Sequence, residues 1–191
     1  MSPIPLGILA ASGVSAGSFD LLETSFVSTT TASVTFSNLN NYDYKHLQIR
    51  LTGRTNRADY QDRIAIRYNG VSSSTYVSHV LQGTGSSAQS AYQDNFQFIY
   101  TTGSNGFNLF SASEISNYFG SAIIDILDFK NSNTTKTLRM FSGIAGGTQS
   151  KFVIFSSGFN TTTDAINSIT LLPQFGSWVS GTRISIYGIK G

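Results

Sequence analysis

Apolar and polar residues alternate along this chain in short runs, each closed off by turn-forming residues. The clearest run is Lys45 to Arg54 (KHLQIRLTGR), where Leu47, Ile49 and Leu51 interleave with His46, Gln48, Arg50 and Thr52. A period of two sends the first set to a dry sheet face and the second to a wet one. Asp62 to Asn69 repeats the pattern, with Ile64, Ile66 and Tyr68 opposing Arg63, Ala65 and Arg67. Antiparallel pairing of these two runs is the expected hairpin. Further strands are expected at Ser33–Phe36, Tyr76–Gln82, Phe96–Thr101, Ala122–Phe129, Thr137–Ser142, Phe152–Phe155, Ile166–Leu172 and Arg183–Ile189. That set of about ten suits two packed antiparallel sheets, an all-β sandwich. Asn69-Gly70, Gly103 to Gly106, Gly146-Gly147 and Gly176 punctuate the runs with residues that tolerate positive φ. Ser111 to Gly120 leaves room for one helical turn.

Residues 1–18 break the pattern. They carry no charge, begin with Pro3 and Pro5, offer Ile4, Leu6, Ile8 and Leu9, and end in a Gly/Ser/Ala stretch. This segment reads as an extended arm whose aliphatic side chains dock on its own domain or on a neighbouring subunit. Residues 19–191 then form one domain, a length that all-β folds reach without dividing.

Composition sharpens the fold class. The 191 residues include 29 Ser and 20 Thr but two Glu, and 12% are charged. Long solvated helix faces are built from Glu, Lys, Gln and Arg, so none is expected. A hydrophobic share of 40% argues against disorder. The net charge of +2 does not point to nucleic acid. No cysteine is present, which excludes disulfides and thiolate chemistry. Met1 to Leu9 does not read as a signal peptide, and no run approaches the roughly 18 apolar residues of a membrane helix.

Candidate chemistry is sparse. His46 and His79 read as solvated strand residues, and no Gly-x-Ser-x-Gly elbow accompanies them. Asp125 and Asp128, three apart on a strand, do not form an acid and base pair. Asn40, Asn41 and Asp43 offer oxygen ligands without the twelve-residue calcium-loop pattern. The expectation is of no catalytic residue, no cofactor and no metal. The densest signal is basic: Arg50, Arg54, Arg57, Arg63 and Arg67 fall within 18 residues. On the expected hairpin Arg50, Arg63 and Arg67 share the polar face, either as a docking patch or as a wet face balanced by Asp59 and Asp62. Phe96, Phe98 and Tyr100 read as core or interface on one strand face. Trp178, Tyr42 and Tyr44 fall in expected loops and are the candidates for stacking on a glycan.

Two stretches, Ser33 to Arg50 (SVTFSNLNNYDYKHLQIR) and Ser168 to Gly191 (SITLLPQFGSWVSGTRISIYGIKG), resemble the opening and closing strands of a family of small tailed-bacteriophage virion structural proteins. The matching elements are Tyr44-Lys45-His46-Leu47, Arg67-Tyr68-Asn69-Gly70 and Ser185-Ile186-Tyr187-Gly188, with Pro3 to Ala10 similar to the start of such proteins. The resemblance implies a jelly-roll-like sandwich on the exterior of a virion assembled in the bacterial cytoplasm, often as a homotrimer. Its implied partners are further copies of itself and the major capsid protein or a tail protein, with neither nucleic acid nor membrane. Capsid decoration through the arm and the basic face is the leading expectation. A tail-appendage module binding host surface glycan is the alternative.

Overall fold

The computed structural model describes residues 19–100, 108–147 and 150–191. The expected arm, residues 1–18, lies outside the described residues. The described chain holds fourteen strands and no α-helix, with one 3-10 turn at Leu39–Asn41. In chain order the strands are β1 (Phe19–Phe26), β2 (Val34–Phe36), β3 (His46–Gly53), β4 (Gln61–Asp62), β5 (Ile64–Tyr68), β6 (Tyr76–Gly83) and β7 (Ala88–Phe96). They continue as β8 (Ile99–Tyr100), β9 (Leu109–Phe110), β10 (Gly120–Ile126), β11 (Thr137–Gly146), β12 (Ser150–Asn160), β13 (Ile169–Pro173) and β14 (Arg183–Ile189).

Eight strands form one antiparallel sheet in the order β1-β14-β3-β10-β11-β12-β6-β7, and four form a second in the order β2-β13-β5-β8, while β4 and β9 make a short third ladder. Alternation decides what each sheet buries. In the large sheet Ile49 lies opposite Ile124 on one side and Ile186 on the other. Leu47, Leu51, Ile126, Leu138 and Met140 fall on the same inner face. Phe36, Ile64, Ile66, Ile169 and Leu171 of the small sheet join them in one buried cluster, the arrangement of a β-sandwich.

The expected pairing of Lys45–Arg54 with Asp62–Asn69 is not formed. β3 lies between β14 and β10, whereas β5 lies between β13 and β8 in the other sheet. Each run has one dry face, and a sandwich satisfies two dry faces by turning them toward each other across the core. Residues 54–62 serve as the crossover between sheets. β5 is also more buried than its alternation implies, with Ala65 covered as fully as Ile64 and Ile66. The expected strand at Phe96–Thr101 is divided, since Phe96 closes β7 and β8 begins at Ile99. Residues 111–119 form hydrogen-bonded turns, Glu114 N–H to Ser111 O and Tyr118 N–H to Ile115 O. The Asn69-Gly70 turn holds both residues at positive φ, 52° and 68°. There the Asn69 Oδ1 accepts from the N–H groups of Asn167 and Ser168 and fixes the neighbouring loop.

Two side chains fasten the sheets together. Trp178 is 0% exposed and its indole N–H donates to the Leu171 carbonyl of β13 at 3.2 Å. A Cβ on Gly53, at the end of β3, would sit 3.0 Å from the indole, so the ring rests directly on the large sheet's backbone. Its own backbone bridges Thr31 and Thr55. Asn108 does the polar equivalent: its Oδ1 accepts from Ile64 N–H of β5 at 2.9 Å and its amide donates to Ser142 of β11 at 3.3 Å. A Trp178→Ala chain is expected to lose about 3–5 kcal/mol of stability, the usual cost of emptying a buried aromatic site. Urea unfolding monitored by circular dichroism checks this, and an unchanged midpoint would place the indole outside the core.

Candidate functional site

The three arginines expected on one face are separated by the fold. Arg50 stands on the outer face of the large sheet, its Nε donating to Gln48 and its guanidinium 4.4 Å from the Tyr187 ring centroid. Arg63 is buried beside the small sheet and donates to Gln174 at 3.1 Å. Arg67, on β5, donates to the Gln97 carbonyl and lies over Phe98. A shared basic face required β3 and β5 to be neighbours, and the sandwich places them in different layers. The flanking acids also divide: Asp59 pairs with Arg57 at 2.7 Å, whereas Asp62 is buried among backbone N–H groups.

The glycan candidates are likewise occupied. Trp178, in the core, presents no surface to a sugar. Tyr42 packs half-buried against the core, and its carbonyl accepts from Lys130 Nζ. The Tyr44 hydroxyl donates to Asp20 at 2.8 Å, an arrangement that pushes the phenol above its ordinary value. Its ring lies against Gly188 so closely that a Cβ there would be 2.4 Å from it. Tyr44 also lines an open cleft with Asp43, Lys45, Asp128, Lys130 and Lys190. Phe96, Phe98 and Tyr100 do cluster, with centroids 4.8–5.3 Å apart, but from two strands and the link between them.

The histidines take no part in a convergent site. His46 Nδ1 accepts the Asp128 N–H at 2.9 Å, and exposed His79 stands edge-on to Tyr92. Among the described residues no group of three or more His, Asp or Glu is placed to hold a metal.

The surface most unlike ordinary solvated sheet is one the sequence reading missed. On the outer face of the large sheet Ile123, Phe141, Phe155 and Leu81 lie in register across β10, β11, β12 and β6. They are 46%, 58%, 48% and 55% exposed, and Val153 beside them is 58% exposed. Five such side chains, each about half open, amount to roughly 500 Å² of apolar surface, at the upper end of what monomers leave in water. Arg50, Arg139 and Lys151 rim the row, with Arg139 held 3.7 Å from Asp125. A signal for it exists in the sequence. Ile123-Ile124, Met140-Phe141, Ile154-Phe155 and Val80-Leu81 are adjacent apolar pairs, and adjacent residues on a strand face opposite ways. At the level of the row each of these four strands therefore carries an apolar side chain on both faces.

No protein-family model and no curated protein matches the chain. Among solved structures, the CBM2 module of Lactobacillus casei BL23 phage J-1 evolved Dit aligns at 10% identity over 90% of this chain and 77% of that one, with a TM-score of 0.18. A superposition of that quality defines no common fold. Two of the elements that carry the phage-family resemblance meet in space, because Leu47 pairs with Gly188 and His46 with Ile189 on β3 and β14, whereas Arg67 to Gly70 lies at the end of β5 in the other sheet and Pro3 to Ala10 lies outside the described residues.

Buried charge elsewhere is spent on holding loops. The Arg54 guanidinium donates to the carbonyls of Glu114, Ile115 and Tyr118 at 2.9–3.0 Å and so shapes the 111–119 loop. Lys136 Nζ donates to Thr134 and Thr163 carbonyls. Asp62 accepts from the N–H groups of Arg63, Phe175 and Gly176. Burial nevertheless pushes its carboxyl above the ordinary aspartate range, the hydrogen bonds offsetting part of the shift. A raised folded value means the native state keeps a proton that the unfolded chain releases near pH 3.9. This group's contribution is thus most favourable at low pH and declines as pH rises through its folded value. The stability difference between the wild-type chain and Asp62→Asn, measured by urea unfolding from pH 4 upward, should shift against the wild type with rising pH. A flat difference would contradict the raised value.

Proposed function

We propose that this chain is a structural protein of a tailed-phage virion, a homo-oligomeric, jelly-roll-like sandwich on the particle exterior, and that it acts by docking rather than by catalysis. The observation that carries this reading is the exposed apolar row on the outer face of the large sheet. An isolated sandwich normally solvates that face with polar residues, whereas half-open Phe, Ile and Leu in register, with Val153 beside them, are what a subunit contributes to an interface. The adjacency of the Tyr44 to Leu47 and Ser185 to Gly188 elements supports it from a second direction. Tyr44 covers Gly188, so the motifs that carry the resemblance serve the strand pairing of the fold. The docking surface in this proposal is the apolar row, in place of a basic face, and its counterpart on the particle is a capsid or tail protein.

Immunogold labelling of purified virions should mark the particle exterior, and particles free of the protein would overturn the proposal. Phe141→Ser combined with Phe155→Ser changes two outward side chains and leaves the buried cluster intact. That variant should occupy particles at least about tenfold less than the wild-type chain in competition, a difference of about 1.4 kcal/mol. Equal occupancy would remove the row from the docking surface.

A further inference from the structure

The row needs an occupant, and we propose that it is residues 3–9 of a second copy of this chain, laid across Ile123, Phe141, Phe155 and Leu81. The inference rests on the docking reading above and names the segment that fills the surface.

Three observations select this occupant. The first is chemical. Ile4, Leu6 and Ile8 alternate in a segment with no charged side chain, and Pro3 and Pro5 bias it to extended backbone. Such a segment places three aliphatic side chains along one side over about 13 Å, and the row crosses four strands, about 14 Å. The second is electrostatic. Arg50, Arg139 and Lys151 border the row. Asp125 neutralises Arg139, so the rim stays cationic at Arg50 and Lys151, and an uncharged peptide crosses it without bringing a further charge into the contact. The third is directional. β1 begins at Phe19, opposite Ile189, at the end of the sheet where β3 starts with His46. The N-terminal end of β1 thus lies away from the row, which crosses the sheet at the level of Thr24. Residues 1–18 can span up to about 60 Å when extended, which reaches a neighbouring molecule. A segment that leaves one subunit and fills a different surface on the next is a heterologous contact, the kind that closes into a ring when the rotation between subunits is right.

The test uses the full chain with a photoreactive phenylalanine analogue in place of Leu6. Irradiation should give a species of twice the chain mass or more on a denaturing gel, with the cross-link mapping to β10, β11, β12 or β6. A cross-link at monomer mass would make the arm's own sheet the occupant, and a dimer linked elsewhere would free the row. Both results overturn the proposal. Separately, the triple variant Ile4→Ser, Leu6→Ser, Ile8→Ser changes only residues outside the described strands and should sediment as monomer at concentrations where the wild-type chain is oligomeric, as should Phe141→Ser with Phe155→Ser. Unchanged oligomers in either variant would also overturn it. Particle labelling is read independently, so virions without the protein would defeat the virion reading while leaving the cross-link result standing.

Discussion

The fold depends on giving one eight-stranded sheet a cover for its inner face. That face is a continuous field of Leu, Ile and Met side chains from β3, β10, β11 and β14. Burying a side chain of that size is worth about 1.5–3 kcal/mol, so leaving the field wet would forfeit most of the stability available. The cover is a second sheet of half as many strands. Because it is short, loops complete the job, and Trp178 and Asn108 lock the two layers where the short sheet meets them.

This shortage of regular cover explains where the charge went. Arg54, Asp62 and Lys136 are buried, each turned toward backbone carbonyls or N–H groups of loops that close the ends of the sandwich. A guanidinium reaching three carbonyls satisfies a turn that no strand neighbour could satisfy. A chain with 12% charged residues therefore keeps several of them inside. The outer surface left behind is rich in Ser and Thr, and along one row it is apolar.

The two faces of the large sheet thus have different duties. The inner face is closed within the chain. The outer face places Phe141 and Phe155 side by side on neighbouring strands with Ile123 and Leu81 at their flanks, a surface that gains by meeting another molecule.

Much of this was legible in the residues alone. Period-two alternation located β3, β5, β6, β11 and β14, and Asn69-Gly70 located a turn, because side-chain direction on a strand is a local property. β1 and β7 escaped notice because their polar and apolar positions do not alternate cleanly. The expected basic face failed for a different reason: alternation says which residues share a side of one strand but not which strand lies next to it. Arg50 and Arg67 are separated by sheet assignment, and Trp178 went from surface candidate to core by a crossover that sequence spacing does not encode. The sequence by itself determined an all-β chain with dry and wet strand faces. Only the tertiary structure decided which strands pair, and through that pairing it aligned four ordinary hydrophobic positions into a single exposed row.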